Sequence, residues 1–216
     1  MQQQMFKHVT NRQGVQLVEY AREFGLSRQE FLDFLNNKEK LENFMRSLQS
    51  NQVWFDNLQK SVEKIGARLH LIENLVVDYS IPHNQAAMSG GPQTGSDYNV
   101  LKVTDLYQSE KKVVTETIVL LNYPKGGGNY SNTVAWGMKN GLVKTTPHVP
   151  FAIGENFPKL NYDLGSNPMY VVETTGCTFG SRASACGVWW GDAERKSSLN
   201  WQSGFGNGID WFAFRK

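Results

Sequence analysis

The sequence predicts an α+β protein: an N-terminal helical module, a linker, and a C-terminal domain of small antiparallel sheets with two short helices. Three observations predict it. Residues 1 to about 80 hold only three glycines, Gly14, Gly25 and Gly66, and space their apolar residues by three and four. Residues 81–99, IPHNQAAMSGGPQTGSDYN, replace that spacing with Pro, Gly, Ser, Asn and Gln, the composition of a flexible connection. Residues 100–216 then hold 14 of the 20 glycines and five of the six tryptophans, among runs rich in β-branched and aromatic residues.

The elements follow in order. Val15, Val18 and Phe24 to Leu26 lead into Phe31, Phe34, Leu35, Leu41, Phe44, Met45 and Leu48 at amphipathic helical spacing. Ser27 followed by Glu30 forms a capping box that starts a helix at Arg28. A third helical segment runs through Val53, Trp54, Leu58, Val62, Ile65, Leu69 and Ile72. After the linker, strands are expected at 100–107, 111–123, 169–175, 187–190, 198–202 and 210–215. Short helices are expected at Ser131 to Asn140, closed by Gly141, and at Pro150 to Phe157.

Composition excludes several classes of function. With 216 residues, 40% of them hydrophobic and 19% charged, the chain has length and apolar content for one or two folded domains. A formal charge of +2 supplies no overall field to attract nucleic acid or anionic lipid. The opening MQQQMFKHVTNRQG lacks the basic and apolar regions of an export signal, and the apolar run Ile118 to Leu121 is far shorter than the ~20 residues of a membrane-spanning helix. A cytoplasmic protein without membrane insertion is therefore expected, a location compatible with later association with a virion or a surface. Cys177 and Cys186 are too few for a disulfide scaffold and too far apart for a CxxC motif, so two thiols are expected.

Catalytic patterns are sparse. His8, His70, His83 and His148 form no HxH or HExxH, and read as packing or surface residues. There is no GxSxG elbow, phosphate-binding loop or GxGxxG; Gly126 to Gly128 and Gly204 to Gly208 read as flexible loops. Glu173, Asp192 and Glu194 have no spacing that pairs them for acid–base chemistry. The sequence thus gives no catalytic residue, no metal ligands and no cofactor.

Residues 18–34 have the spacing of a helix-turn-helix, with Ala21 small in the first helix, Gly25 at the turn, and Leu26, Phe31 and Phe34 packing. Its reading helix offers Arg28 and Gln29 beside Glu30 and Asp33, and residues 1–83 carry ten basic and ten acidic side chains. A packing or oligomerisation module is the plainer reading. DNA binding through residues 18–36, with the C-terminal domain as sensor, is the alternative.

In the last forty residues, bulky Val188, Trp189, Leu199, Trp201, Trp211 and Phe214 alternate with small or polar side chains. This predicts strands with one face packed and one exposed. The pattern Trp189-Trp190, Glu194-Arg195, Leu199-Asn200-Trp201 and Asp210-Trp211-Phe212-Ala213-Phe214-Arg215-Lys216 follows a strand, a helix, the Gly141-Leu142 turn, a second helix and a strand. Residues 100–216 thereby resemble the C-type lectin-like variable proteins that diversity-generating retroelements diversify. The resemblance implies a non-enzymatic recognition protein in which Trp, Leu and Phe hold the sheet and the intervening positions bind a macromolecular ligand, expected to be protein.

Carried onto this chain, the ligand-binding candidates are Arg182, Ser184, Trp190, Asp192, Lys196, Ser198, Asn200, Gln202, Phe205, Asn207 and Asp210, with Leu199 and Trp201 buried beneath. The EPN, QPD and WND strings of calcium-dependent lectins are missing, as are the two cysteine pairs of secreted lectins, so calcium-dependent sugar binding is not implied. The related formylglycine-generating scaffold shows that such a fold can host catalysis near a cysteine pair, which makes Cys177 and Cys186 the residues an enzymatic reading would use.

Overall fold

The computed structural model describes residues 36–93, 98–107, 112–191 and 194–216, together with Asp33. The chain divides into two compact units, 1–57 and 58–216. The helix-turn-helix-like tract lies outside the described residues, apart from Asp33 and Asn36.

Helix α1 spans Lys38–Glu63 and crosses the boundary between the units; its Leu58 and Val62 are buried. After Gly66 the helical reading fails. Residues Arg68–Asp78 form strand β1, an edge strand, although Leu69 and Ile72 continue the helical spacing. Long-range pairing decides the outcome. Nine residues of β1 are aligned antiparallel with β2, Val113–Asn122. A bulge between Ile72 and Leu75, with Asn74 at φ 56°, interrupts the period-two pattern that would have identified the strand.

The described parts of the expected linker, 81–93 and 98–99, are also folded. His83–Gly90 form helix α2, and Tyr98–Leu101 form a short helix α3 where a strand was expected. The small residues that suggested flexibility allow close packing instead. A Cβ on Gly154 would lie 2.3 Å from the Gly90 carbonyl oxygen, and one on Gly91 would lie 2.0 Å from the Ser197 nitrogen.

Helices α4 (Tyr130–Lys139) and α5 (His148–Asn156) and strands β4 (Met169–Val172) and β8 (Asp210–Arg215) lie close to expectation. Strand β6 (Arg182–Trp190) starts five residues and β7 (Arg195–Trp201) three residues before the expected strands, and β3 (Val143–Lys144), α6 (Leu160–Asp163) and β5 (Cys177–Phe179) were not expected. Asn129 caps α4 by accepting from the Asn132 amide, and Gly141 follows its end at φ 79°. The sheet order is β1-β2-β8-β4-β6-β5, with β3 beside β8 and β7 beside β6. Pairing is antiparallel except between β4 and β8.

The core explains this order. In β8, Asp210 to Phe214 are all buried. Trp211 and Ala213 join one cluster with Ile118, Leu120, Val171, Val188 and Trp190, into which Phe151 and Ile153 of α5 and Ala87 of α2 also pack. Phe212 meets Tyr130 of α4, at 6.1 Å between ring centroids. Each such side chain contributes about 1.5–3 kcal/mol by leaving water. No described helix is long and apolar enough to cross a membrane.

Candidate functional site

The candidate site is built on β6 and β7, a two-stranded ribbon aligned from Ser184 opposite Trp201 to Trp190 opposite Arg195. Alternation along these strands places Arg182, Ser184, Cys186, Val188 and Trp190 on one face with Ser197, Leu199 and Trp201. Lys196, Ser198 and Asn200 lie on the opposite face, with Trp189.

The Trp190 end is closed. Helix α2 ends against it, and β7 satisfies the helix's terminal carbonyls: Arg195 Nε donates to Gly90 O at 2.7 Å and Ser197 Oγ to Ala87 O at 2.7 Å. The Arg195 amide also donates to Gln93 Oε1 at 2.9 Å, beside a bridge between Pro92 and Lys196. Trp190, expected as an exposed anchor, is consequently 1% exposed and part of the core.

The Trp201 end is open. Trp201, expected beneath the surface, is 56% exposed. The exposed Arg182 covers it, with its guanidinium carbon 3.9 Å from the ring centroid. Such a contact contributes about 0.5–1 kcal/mol at an exposed site and fixes both side chains in position. Asn200, Ser203 and Asn207 are exposed as well. Asn207 Nδ2 donates to Gly204 O at 3.3 Å.

Other candidates are structural. Ser184 is buried, and its carbonyl accepts from Gln202 Nε2 at 3.1 Å, which ties the turn after β7 to β6. Phe205 is buried between Tyr130, Tyr170 and Phe212. Asp210 is buried and closes its own loop, with Oδ2 accepting from the Gly206 and Asn207 amides, each at 2.8 Å. Burial raises its pKa, and those two amides oppose the rise. Lys196 pairs with Glu194, and half-buried Ser198 shares its hydroxyl with Tyr170 at 2.9 Å. Asp192 lies outside the described residues. Leu199 is half-buried against the core.

Sequence spacing also missed a buried carboxylate. Glu173 is fully enclosed and accepts from four donors: Tyr107 Oη at 2.8 Å, the Thr175 amide at 2.6 Å, the Gly176 amide at 2.7 Å and the Cys186 amide at 3.2 Å. Burial pushes its pKa up to about 7 against those donors, which favour the ionised form. Cys177 and Cys186 are both thiols beside this carboxylate, and burial raises the Cys177 pKa. Glu173 pins the β5–β6 hairpin to β4. Among the described residues, no three His, Cys, Asp or Glu side chains are placed to hold a metal.

In comparison with known proteins, no family model, curated protein or solved structure matches the chain.

Proposed function

We propose that this chain is a non-enzymatic recognition protein, with a C-type lectin-like scaffold that presents a variable binding surface to a protein partner. Its order and pairings support the scaffold. A long strand, β2, lies beside the terminal strand β8; two helices, α4 and α5, follow β2; and β4, β6 and β7 precede the return to β8. The observation that carries the recognition reading is Trp201, a large aromatic side chain left 56% in solvent and held by Arg182 rather than by the core.

Arg182 and Trp201 share one face at the open end of the ribbon, Asn200 is exposed on the opposite face of the same end, and Ser203 and Asn207 are exposed in the segment that follows β7. Tryptophan and arginine are the side chains that most often dominate binding energy at interfaces, where a single anchor contributes 2 kcal/mol or more. Asparagine and serine add adaptable hydrogen bonds. Recognition by this set requires no general base.

The test is a displayed library of the full chain, randomised at these five positions and selected against lysozyme as an arbitrary protein target. Folded binders whose affinity is lost when Trp201 or its replacement becomes Ala support the proposal. A library that fails to fold, or that folds and yields no binder, contradicts it. A near-copy of the DNA encoding β6 and β7, beside a reverse transcriptase gene, would support the retroelement reading; its absence from the flanking DNA would count against that part.

A further inference from the structure

Away from the ribbon, a cleft of about 270 Å3 opens between β1 and α5. Its apolar wall includes Val76 and Phe151, and its polar lining is Asp78, His148, Glu155 and Asn156. His148 is 6% exposed, so it is a built part of the fold rather than a surface side chain. Its Nε2 lies 3.0 Å from the Ile81 carbonyl oxygen, which can only accept, so Nε2 carries the proton. With Nε2 protonated, the deprotonated Nδ1 is the acceptor the ring offers to the cleft, no described residue partners it, and the ring's field reaches Asp78.

The carboxylates are similarly placed. Oδ1 of Asp78 accepts from the Ser80 amide at 2.8 Å and the Ser80 hydroxyl, which together hold the carboxyl below the usual carboxylate range. Glu155 is exposed and lies in the field of Arg195, whose Nε donates to Gly90 O and whose remaining N–H groups make no ion pair with it. Among the described residues, neither carboxylate has a basic side chain within ion-pairing distance. Asn156 donates its amide to Ala152 O at 2.9 Å, leaving its carbonyl oxygen as a further acceptor.

We propose that this cleft binds a primary ammonium group carried on a short apolar body, with Asp78, Glu155 and the Nδ1 of His148 accepting its protons and Val76 and Phe151 packing its methylenes. An ammonium offers three donors and no acceptor, the complement of this lining. The cleft lies just below the usual size range of small-molecule sites, which suits an alkyl amine or a lysine side chain. The two sources share one chemistry.

The test uses the isotope-labelled full chain and n-butylammonium chloride as the probe, read by amide and imidazole NMR shifts. Saturable shifts confined to the cleft, absent with potassium chloride and with n-butanol, are expected. The Asp78→Asn/Glu155→Gln double variant should weaken binding at least about tenfold, since it removes charge from two charge-assisted contacts. Its melting temperature, which should stay near that of the parent, separates lost binding from lost folding. A blocked lysine peptide that reproduces the shifts, while its Nε-acetyl form does not, assigns the site to a polypeptide; shifts with butylammonium but not the peptide assign it to a free amine. Equal shifts with butanol, shifts unchanged in the double variant, or no localised shift would overturn the proposal.

Discussion

The two ends of the β6–β7 ribbon share a face yet differ in what covers them. Trp190 and Trp201 sit on that face at opposite ends, one 1% and the other 56% exposed. Strand alternation cannot distinguish them. The closed end is roofed by helix α2, whose terminal carbonyls Arg195 and Ser197 satisfy, whereas at the open end Arg182 lies across the Trp201 ring. A strand period assigns residues to faces, and packing from distant segments then decides which part of a face meets water.

The comparison is most strongly challenged at Trp190. Trp190→Ala should cost about 3–5 kcal/mol and lower the melting temperature by roughly 10 °C in a domain of this size. Thermal unfolding by circular dichroism checks it.

Next is Glu173, which ties the middle of β6 to the segment between β4 and β5. Glu173→Ala should cost about 3 kcal/mol, because four buried donors lose their acceptor. The native carboxyl also gives a pH dependence. Its folded pKa, about 7, lies above the model-compound value of 4.5, so between these values the folded state binds more protons than the unfolded state. The stability contribution of the protonated form is therefore complete below about 4.5 and is lost as pH rises through about 7. Urea unfolding across this window should show that fall in the parent and a smaller one in Glu173→Gln.

A smaller effect is expected at the junction with α2. Gly91→Ala places a Cβ against the Ser197 nitrogen and should cost about 1–3 kcal/mol by forcing the helix away from β7. Increased acrylamide quenching of tryptophan fluorescence would show the closed end opening. The smallest effect is at Trp201, where Ala should cost under about 0.5 kcal/mol beyond the lost arginine contact. Chemical denaturation with the parent as reference resolves that difference.

These contrasts also show where sequence was sufficient. Strand β8 and helices α4 and α5 were legible to within two residues, because local periodicity, a Gly141 stop and dense aromatics all favoured one answer. Strand β1 was not, because its bulge breaks the alternation and its partner lies some forty residues away. The 81–99 segment looked unstructured because small and polar residues serve both flexible chains and close-packed helices; Gly90 against Gly154 is the second case. Of the site, Arg182, Asn200 and Asn207 were legible as exposed polar positions. Trp190 and Trp201 were exchanged, since nothing local to either reports the helices above one and the solvent above the other.

The account therefore turns on a division of duty along one ribbon, which a single paired unfolding measurement tests. The variant carrying Ala at Arg182, Asn200, Trp201, Ser203 and Asn207 together should melt within a few degrees of the parent, while Trp190→Ala alone should melt roughly 10 °C lower. A multiple variant that unfolds, or a Trp190→Ala protein as stable as the parent, would contradict it.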